Sequence, residues 1–218
     1  MLKFDSPLFQ KYAVFVGHAE GGLSKDPNDS ASKYVEPGKY HTNKGVIFPT
    51  FQKYAKLIGV EPTYSNFIKL TKEQANKVLY AYYTFAANGI NDEITGLILS
   101  NIYWGSGNVL GKHTRLALKK MGLPVALTGS LDQSIKTTIN LQDPSKFNRA
   151  LLDVRKEFLQ GLAISRPANQ KFIKGWLARE KRFEDEFLTA TAPPAPEKKN
   201  NIALLLLFIG GFLLFTKK

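Results

Sequence analysis

The chain has 218 residues, 44% of them hydrophobic and 12% aromatic, enough to bury a sizeable core, so wholesale disorder is excluded. The absence of cysteine excludes a disulfide framework and any thiolate metal site, and His18, His41 and His113 lack the i, i+4 spacing of a helical zinc motif, so no metal or cofactor is expected. Thirty Lys and Arg against eighteen Asp and Glu give +12, which points to an anionic partner: nucleic acid, an acidic membrane or the anionic polymers of a bacterial envelope.

Pro7 to Glu20 carries Phe9, Tyr12, Ala13, Val16 and Ala19 at helical spacing, with Ser6 as N-cap and Pro7 at the first helical position, and this predicts a buried amphipathic helix. Gly21 and Gly22 stop it, Gly21 in the left-handed conformation of a helix cap. Residues 23–50 are rich in Asp, Asn, Ser, Pro and Gly and read as loop, with a short hairpin around Tyr40 to Ile47. Helical patterns resume at Pro49 to Ile58, Thr71 to Ala87, Glu93 to Trp104 and Asn108 to Met121, with Thr71 and Gln74 spaced as a capping box. Leu131 to Leu141, Pro144 to Gly161 and Pro167 to Phe187 make a second helical set.

Residues 191–201 form a Pro-rich and then polar linker. Beyond it Ile202 to Phe215 is an unbroken apolar run between Lys198, Lys199 and Lys217, Lys218. Lacking any polar face and standing behind a linker, residues 202–216 read as a transmembrane anchor. A run of this length covers about 21 Å at 1.5 Å per residue, against roughly 30 Å of hydrocarbon, so it leans on lysine snorkelling and bilayer thinning. The N-terminal stretch has no apolar region followed by a small-residue cleavage site, so no cleaved signal peptide is expected. The expected fold is mainly α, a helical domain with a small β-hairpin or loop insertion after the first helix, plus a C-terminal transmembrane helix.

Glu20 closes the first helix in the stretch HAEGGLSKDPND. There it faces the negative end of the helix dipole, and with apolar neighbours its ionised form is further disfavoured, which suits a general acid that must hold a proton for a leaving sugar oxygen. The two glycines let a bulky polymer approach. Glycoside cleavage wants a second carboxylate or a held water across the ring, and Asp26 and Asp29 lie in the loop that follows. Tyr40, His41 and Asn43 add a hydroxyl, a ring nitrogen and an amide for sugar contacts. Trp104, with Asn101 and Asn108 beside it, is either a sugar platform or a core tryptophan. Trp176 falls on helical spacing with Phe172, Leu177 and Phe183 and is expected in the core. Tyr80, Tyr82 and Tyr83 cannot all face inward, and Lys112, Arg115, Lys119 and Lys120 form a solvated helix edge, with wall polymers or acidic lipids as its second reading.

EGGLSKDPND followed by YHTNKGV resembles glycoside hydrolase family 108, the bacterial and phage N-acetylmuramidases of the lysozyme-like superfamily. That family's motif is a helix-ending EGG, a D-P-x-D loop and a Thr-x-x-Gly-[Ile/Val] segment. In the wider phage lysozyme pattern a catalytic Glu is followed nine positions later by Asp and then by Thr, a separation met here by Glu20 and Asp29, with Thr42 after a longer insert. Ser30-Ala31 replaces the GG that often follows the loop, and Ser32 to Lys39 is extra. TKEQANKVLYAYY (71–83) and NIYWGSGN (101–108) are similar to later segments of the family. KFNRALLDVRKEFL and KFIKGWLAREKRF, within 146–183, resemble its helical peptidoglycan-binding module, including the signature Phe172, Gly175, Trp176, Arg179.

The resemblance implies a lysozyme-like catalytic domain over 1–128, a helical peptidoglycan-binding-like module over 129–190, and Glu20, Asp29 and Thr42 as catalytic residues. It implies a muramidase that hydrolyses the β-1,4 bond between N-acetylmuramic acid and N-acetylglucosamine, with peptidoglycan as partner, to which the apolar run at 202–216 adds a lipid bilayer. A lytic transglycosylase is the chemical alternative; a membrane-anchored, non-catalytic protein binding the envelope or nucleic acid is the alternative of another class, and the polar loop around Glu20 argues against it. An anchored lytic enzyme of this kind fits a virus with an internal membrane or a phage product delivered to the host inner membrane.

Overall fold

The computed structural model describes residues 1–188, without the side chain of Asn108. Helix α1 (Pro7–Ala19) starts as its sequence predicts, with the Ser6 hydroxyl accepting from the Phe9 N–H and Pro7 in the first turn. Its end differs from the expectation. Neither Gly21 nor Gly22 takes a positive φ. The helix stops because Glu20, whose N–H still donates to the Val16 carbonyl at 3.1 Å, turns extended at φ −96° and ψ 127°.

The following loop contains one strand more than the hairpin alone. Strands β1 (Leu23–Ser24), β2 (Thr42–Asn43) and β3 (Val46–Ile47) form an antiparallel sheet in that order, with Ser24 opposite Thr42 and Asn43 opposite both Leu23 and Val46. Lys44 and Gly45, at φ 50° and 77°, make the two-residue turn between β2 and β3, a geometry that needs left-handed backbone at both positions. A 3-10 turn (Ser30–Tyr34) fills the connection from β1 to β2. Helix α2 (Phe48–Tyr54) is shorter than the predicted 49–58 segment, and α3 (Tyr64–Ile68), capped by Thr63, was not anticipated.

Helix α4 (Lys72–Ala87) carries the predicted capping box between Thr71 and Gln74. Then come α5 (Glu93–Ser106), α6 (Leu110–Lys120), α7 (Gln133–Asn140), α8 (Pro144–Ser165) and α9 (Ile173–Phe183). The single helix expected over 167–187 is three pieces: a 3-10 turn (Pro167–Phe172), α9, and a π-helical segment (Glu184–Leu188).

Two cores divide the molecule into lobes. The small one joins Val46 of the sheet with Phe51, Ala55, Ile58, Phe67 and Leu70, and with Ala75 and Val78 at the start of α4. Buried Asn43 ties the hairpin to this lobe, its Nδ2 donating to the carbonyls of Phe67 at 2.8 Å and Ile68 at 3.3 Å. The large core runs from Leu2 to Phe187 and mixes α1 with α4 to α9. There the rings of Phe183 and Phe187 meet Phe15 edge-on at 5.4 and 5.6 Å, so the last helix docks directly on the helix that ends in Glu20.

Two further expectations are corrected. Arg115 does not lie on a solvated edge. It is buried and donates to the carbonyls of Ala126 and Ser130 and to Asp132 at 2.6 Å, organising the loop before α7. Trp176 is half-buried and lines hollows rather than the core. No helix among the described residues is long and apolar enough to cross a membrane; the linker expected at 191–201 and the anchor at 202–216 lie outside the described residues.

Candidate active site

Glu20 stands where the two lobes meet. Trp104, on α5, packs against both cores, and its indole Nε1 donates to Glu20 Oε1 at 3.1 Å. Arg179, on α9, donates from Nη1 to the same oxygen at 3.0 Å and from Nη2 to Asn101 Oδ1 at 3.2 Å. Two donors thus occupy the place where the sequence suggested apolar neighbours. Both charged side chains are about four-fifths buried, with 22% of Arg179 and 21% of Glu20 accessible, so water screens this pair less than a surface one.

The small lobe approaches from the opposite side. A Cβ built on Gly45 would lie 2.7 Å from Glu20 Cγ and Cδ and 2.8 Å from Oε2. Contacts that close do not occur, so the turn can meet the carboxylate only as glycine. Gly21 and Gly22 face open space, with nothing within 4 Å of a Cβ at either.

Glu20 separates two hollows and lines both. The first, of about 190 Å³, lies over α1 and α4, with Lys44, Lys72, Asn76 and Trp104 in its wall. The second, of about 680 Å³, lies on the α9 side, with Lys171, Phe172, Trp176, Arg179 and Arg182. Neither lining holds another carboxylate among the described residues.

The other expected site residues fall into two groups. Trp104 is at the carboxylate, a half-buried tryptophan whose N–H serves Glu20 and whose ring lines the first hollow. The loop residues are engaged with one another. Asp29 is exposed and caps the 3-10 turn, its Oδ1 accepting from the Ala31 N–H at 2.9 Å. Exposed Asp26 accepts from the Asn28 N–H at 2.9 Å, a bond that holds its carboxyl below the usual carboxylate range, with help from the Asn28 side chain and the charge of Lys171. His41 is buried and bonded at both ring nitrogens, to Thr42 Oγ1 at 2.9 Å and to the Asp26 carbonyl at 3.1 Å. Tyr40 donates its N–H to the Tyr64 hydroxyl at 2.7 Å. Asn43 is spent on α3. No group of His, Asp and Glu able to hold a metal ion occurs among the described residues.

Sequence reasoning missed four participants. Arg179 entered only as one letter of a motif, Gly45 as part of a turn, and Lys72 and Asn76 only as members of a predicted helix. The clue to Arg179 was its spacing: Trp176, Arg179 and Phe183 follow helical intervals, so an arginine shares the helix face that carries buried Phe183.

No family model and no curated protein matches the chain. Among solved structures, that of Brucella abortus SagA is similar over 86% of this chain and 97% of that one, with a TM-score of 0.61 and 20% identity. At that identity the likeness establishes a shared fold.

Proposed function

We propose that the chain is a peptidoglycan-degrading muramidase that hydrolyses the β-1,4 bond between N-acetylmuramic acid and N-acetylglucosamine, tethered to a virion or host inner membrane by residues 202–216. The observation that supports it is the setting of Glu20, held between two lobes at the junction of two hollows with one oxygen pinned. Trp104 and Arg179 both donate to Oε1. Oε2 accepts no hydrogen bond among the described residues and is left to carry the proton. In this reading a glycan crosses from one hollow to the other over Glu20. The proton passes from Oε2 to the glycosidic oxygen as the C–O bond breaks, and the carboxylate so formed faces a guanidinium already in place. A water gives its hydroxyl to the anomeric carbon and its proton back to Glu20. Arg179 and Trp104 are therefore positioning residues that hold Oε1 in place.

A second reading has one observation in its favour: the hollows that share Glu20 offer no second carboxylate, while Asp26 and Asp29 are bonded into turns. A lytic transglycosylase needs only one, with Glu20 acting as acid and then base and the muramic 6-hydroxyl replacing water.

Digestion of purified peptidoglycan separates these readings. New reducing ends identify the hydrolase and 1,6-anhydro ends the transglycosylase. In either case Glu20→Gln should fold normally and cleave about 10² to 10⁴ times more slowly. A folded Glu20→Gln protein that clears cell walls at the wild-type rate would take the acid role from Glu20 in both readings, and a wild type that releases no new sugar ends would favour an anchored binding protein.

A further inference from the structure

The larger hollow contains more than proton transfer requires. Part of its wall is aromatic: Phe172, 44% exposed, stacks on Trp176 with ring centroids 5.9 Å apart and planes 25° apart. Gly175 between them faces open space and adds no side chain over the rings. The rest is cationic. Of its three cations Arg179 is committed to Glu20 and Asn101, whereas Lys171 and Arg182 are not bound within the hollow. Lys171 makes no ion pair among the described residues, its ammonium lying 4.8 Å over the Phe172 ring. Arg182 reaches Glu186 at 3.8 Å and lies over the Phe15 ring at 4.8 Å.

An aromatic face suits the apolar face of a pyranose, and two half-hydrated cations beside it suit carboxylates hanging from that sugar. A neutral sugar would leave Lys171 without an ion-pair partner among the described residues and Arg182 with only the long contact to Glu186. We propose that this hollow is a subsite for a muramoyl residue that bears its stem peptide, with Phe172 and Trp176 under the sugar and Lys171 and Arg182 binding carboxylates of the peptide. The inference rests on the muramidase reading and adds to it a preference for acidic, peptide-bearing glycan.

The test uses the full-length chain and two forms of the same sacculi, native and with the stem carboxylates converted to amides by carbodiimide and ammonia. Wild type should have a kcat/KM about fivefold higher on the native form, the effect of two partly exposed charge contacts, and Lys171→Ala/Arg182→Ala should lose that preference. Circular dichroism and the thermal midpoint check the fold of the variant, whose substituted side chains are exposed. Lys112→Ala/Lys119→Ala removes the same charge from α6 and should keep the preference. The subsite is overturned if wild type cleaves both forms equally, if the Lys171/Arg182 variant keeps the preference, or if the α6 variant loses it as fully, which would assign the effect to net charge. All three outcomes leave the muramidase reading standing. No new sugar ends from either form would remove that reading, and the subsite with it.

Discussion

On its small-lobe side Glu20 meets a missing side chain, Gly45, while on its large-lobe side it meets two that are present, Trp104 and Arg179. The same contrast holds for the two buried histidines. In the small lobe His41 is bonded at both ring nitrogens, whereas in the large lobe neither nitrogen of His113 has a partner. The small lobe satisfies its polar groups locally and leaves room at the site. The large lobe supplies the functional side chains and leaves one titratable ring without a polar partner, packed against Phe158.

The contrast can be broken most severely at the docking of α9. Phe183→Ala should lower stability by about 3 to 5 kcal/mol, read from urea unfolding, because it empties a fully buried site between α1 and α9. Wall-cleaving activity should fall earlier in the urea titration than helical signal does, since Arg179 departs with α9. Coincident losses would show that α9 is not a separable clamp.

Next comes acid. Burial, reinforced by the charges of Arg155 and Lys112, pushes His113 from its ordinary 6.5 down to about 4. Above pH 6.5 the ring is neutral in both states. As pH falls from 6.5 towards 4 the unfolded chain takes up a proton that the native state refuses, so stability is lost across that window, by up to about 3 kcal/mol. His113→Leu should flatten the slope of stability against pH in that interval; an unchanged slope would place its origin elsewhere.

Gly45→Ala tests the small-lobe half. Displacing the carboxylate by about 1 Å costs on the order of 100-fold in rate, so cleavage should fall by about that factor while the chain stays folded. Asp29 comes after it. Loss of a cap costs about 1 kcal/mol, so Asp29→Ala should destabilise modestly, while Asp29→Asn, still able to cap, should match wild type in stability. Asp29→Asn activity reduced by orders of magnitude would give Asp29 a place in the chemistry beyond its cap. Smallest is Gly21→Ala, expected within about 0.5 kcal/mol of wild type in stability, since its φ is ordinary and its Cβ meets nothing. A large loss of activity without loss of fold would show that polymer passes over this residue.

What the sequence made legible was whatever its local chemistry encodes. Ser6 with Pro7 and Thr71 with Gln74 announce their helices within one turn, and the apolar spacing of α1 identifies its buried face. The five residues of α3 are too few for periodicity to register, and its one signal, Thr63 as cap, is not distinctive among polar neighbours. Glu20 was legible from its place at a helix end, but its surroundings were not. Trp104 and Arg179 lie 84 and 159 residues away, and no pattern within a helix fixes which residues meet across the fold. The glycines show the same limit. Gly21 and Gly22 drew notice by standing next to the acid, yet the demanding position is Gly45, where a side chain 25 residues earlier adds to what the left-handed turn already asks.

The separation between Glu20 and Arg179 also has a meaning in time. A ribosome delivers the guanidinium 159 residues after the acid, together with the two phenylalanines that dock the last helix. A product interrupted anywhere before α9 carries the carboxylate without its partner. The site is therefore assembled only once α9 has been made, and copies interrupted before it are born without a finished one.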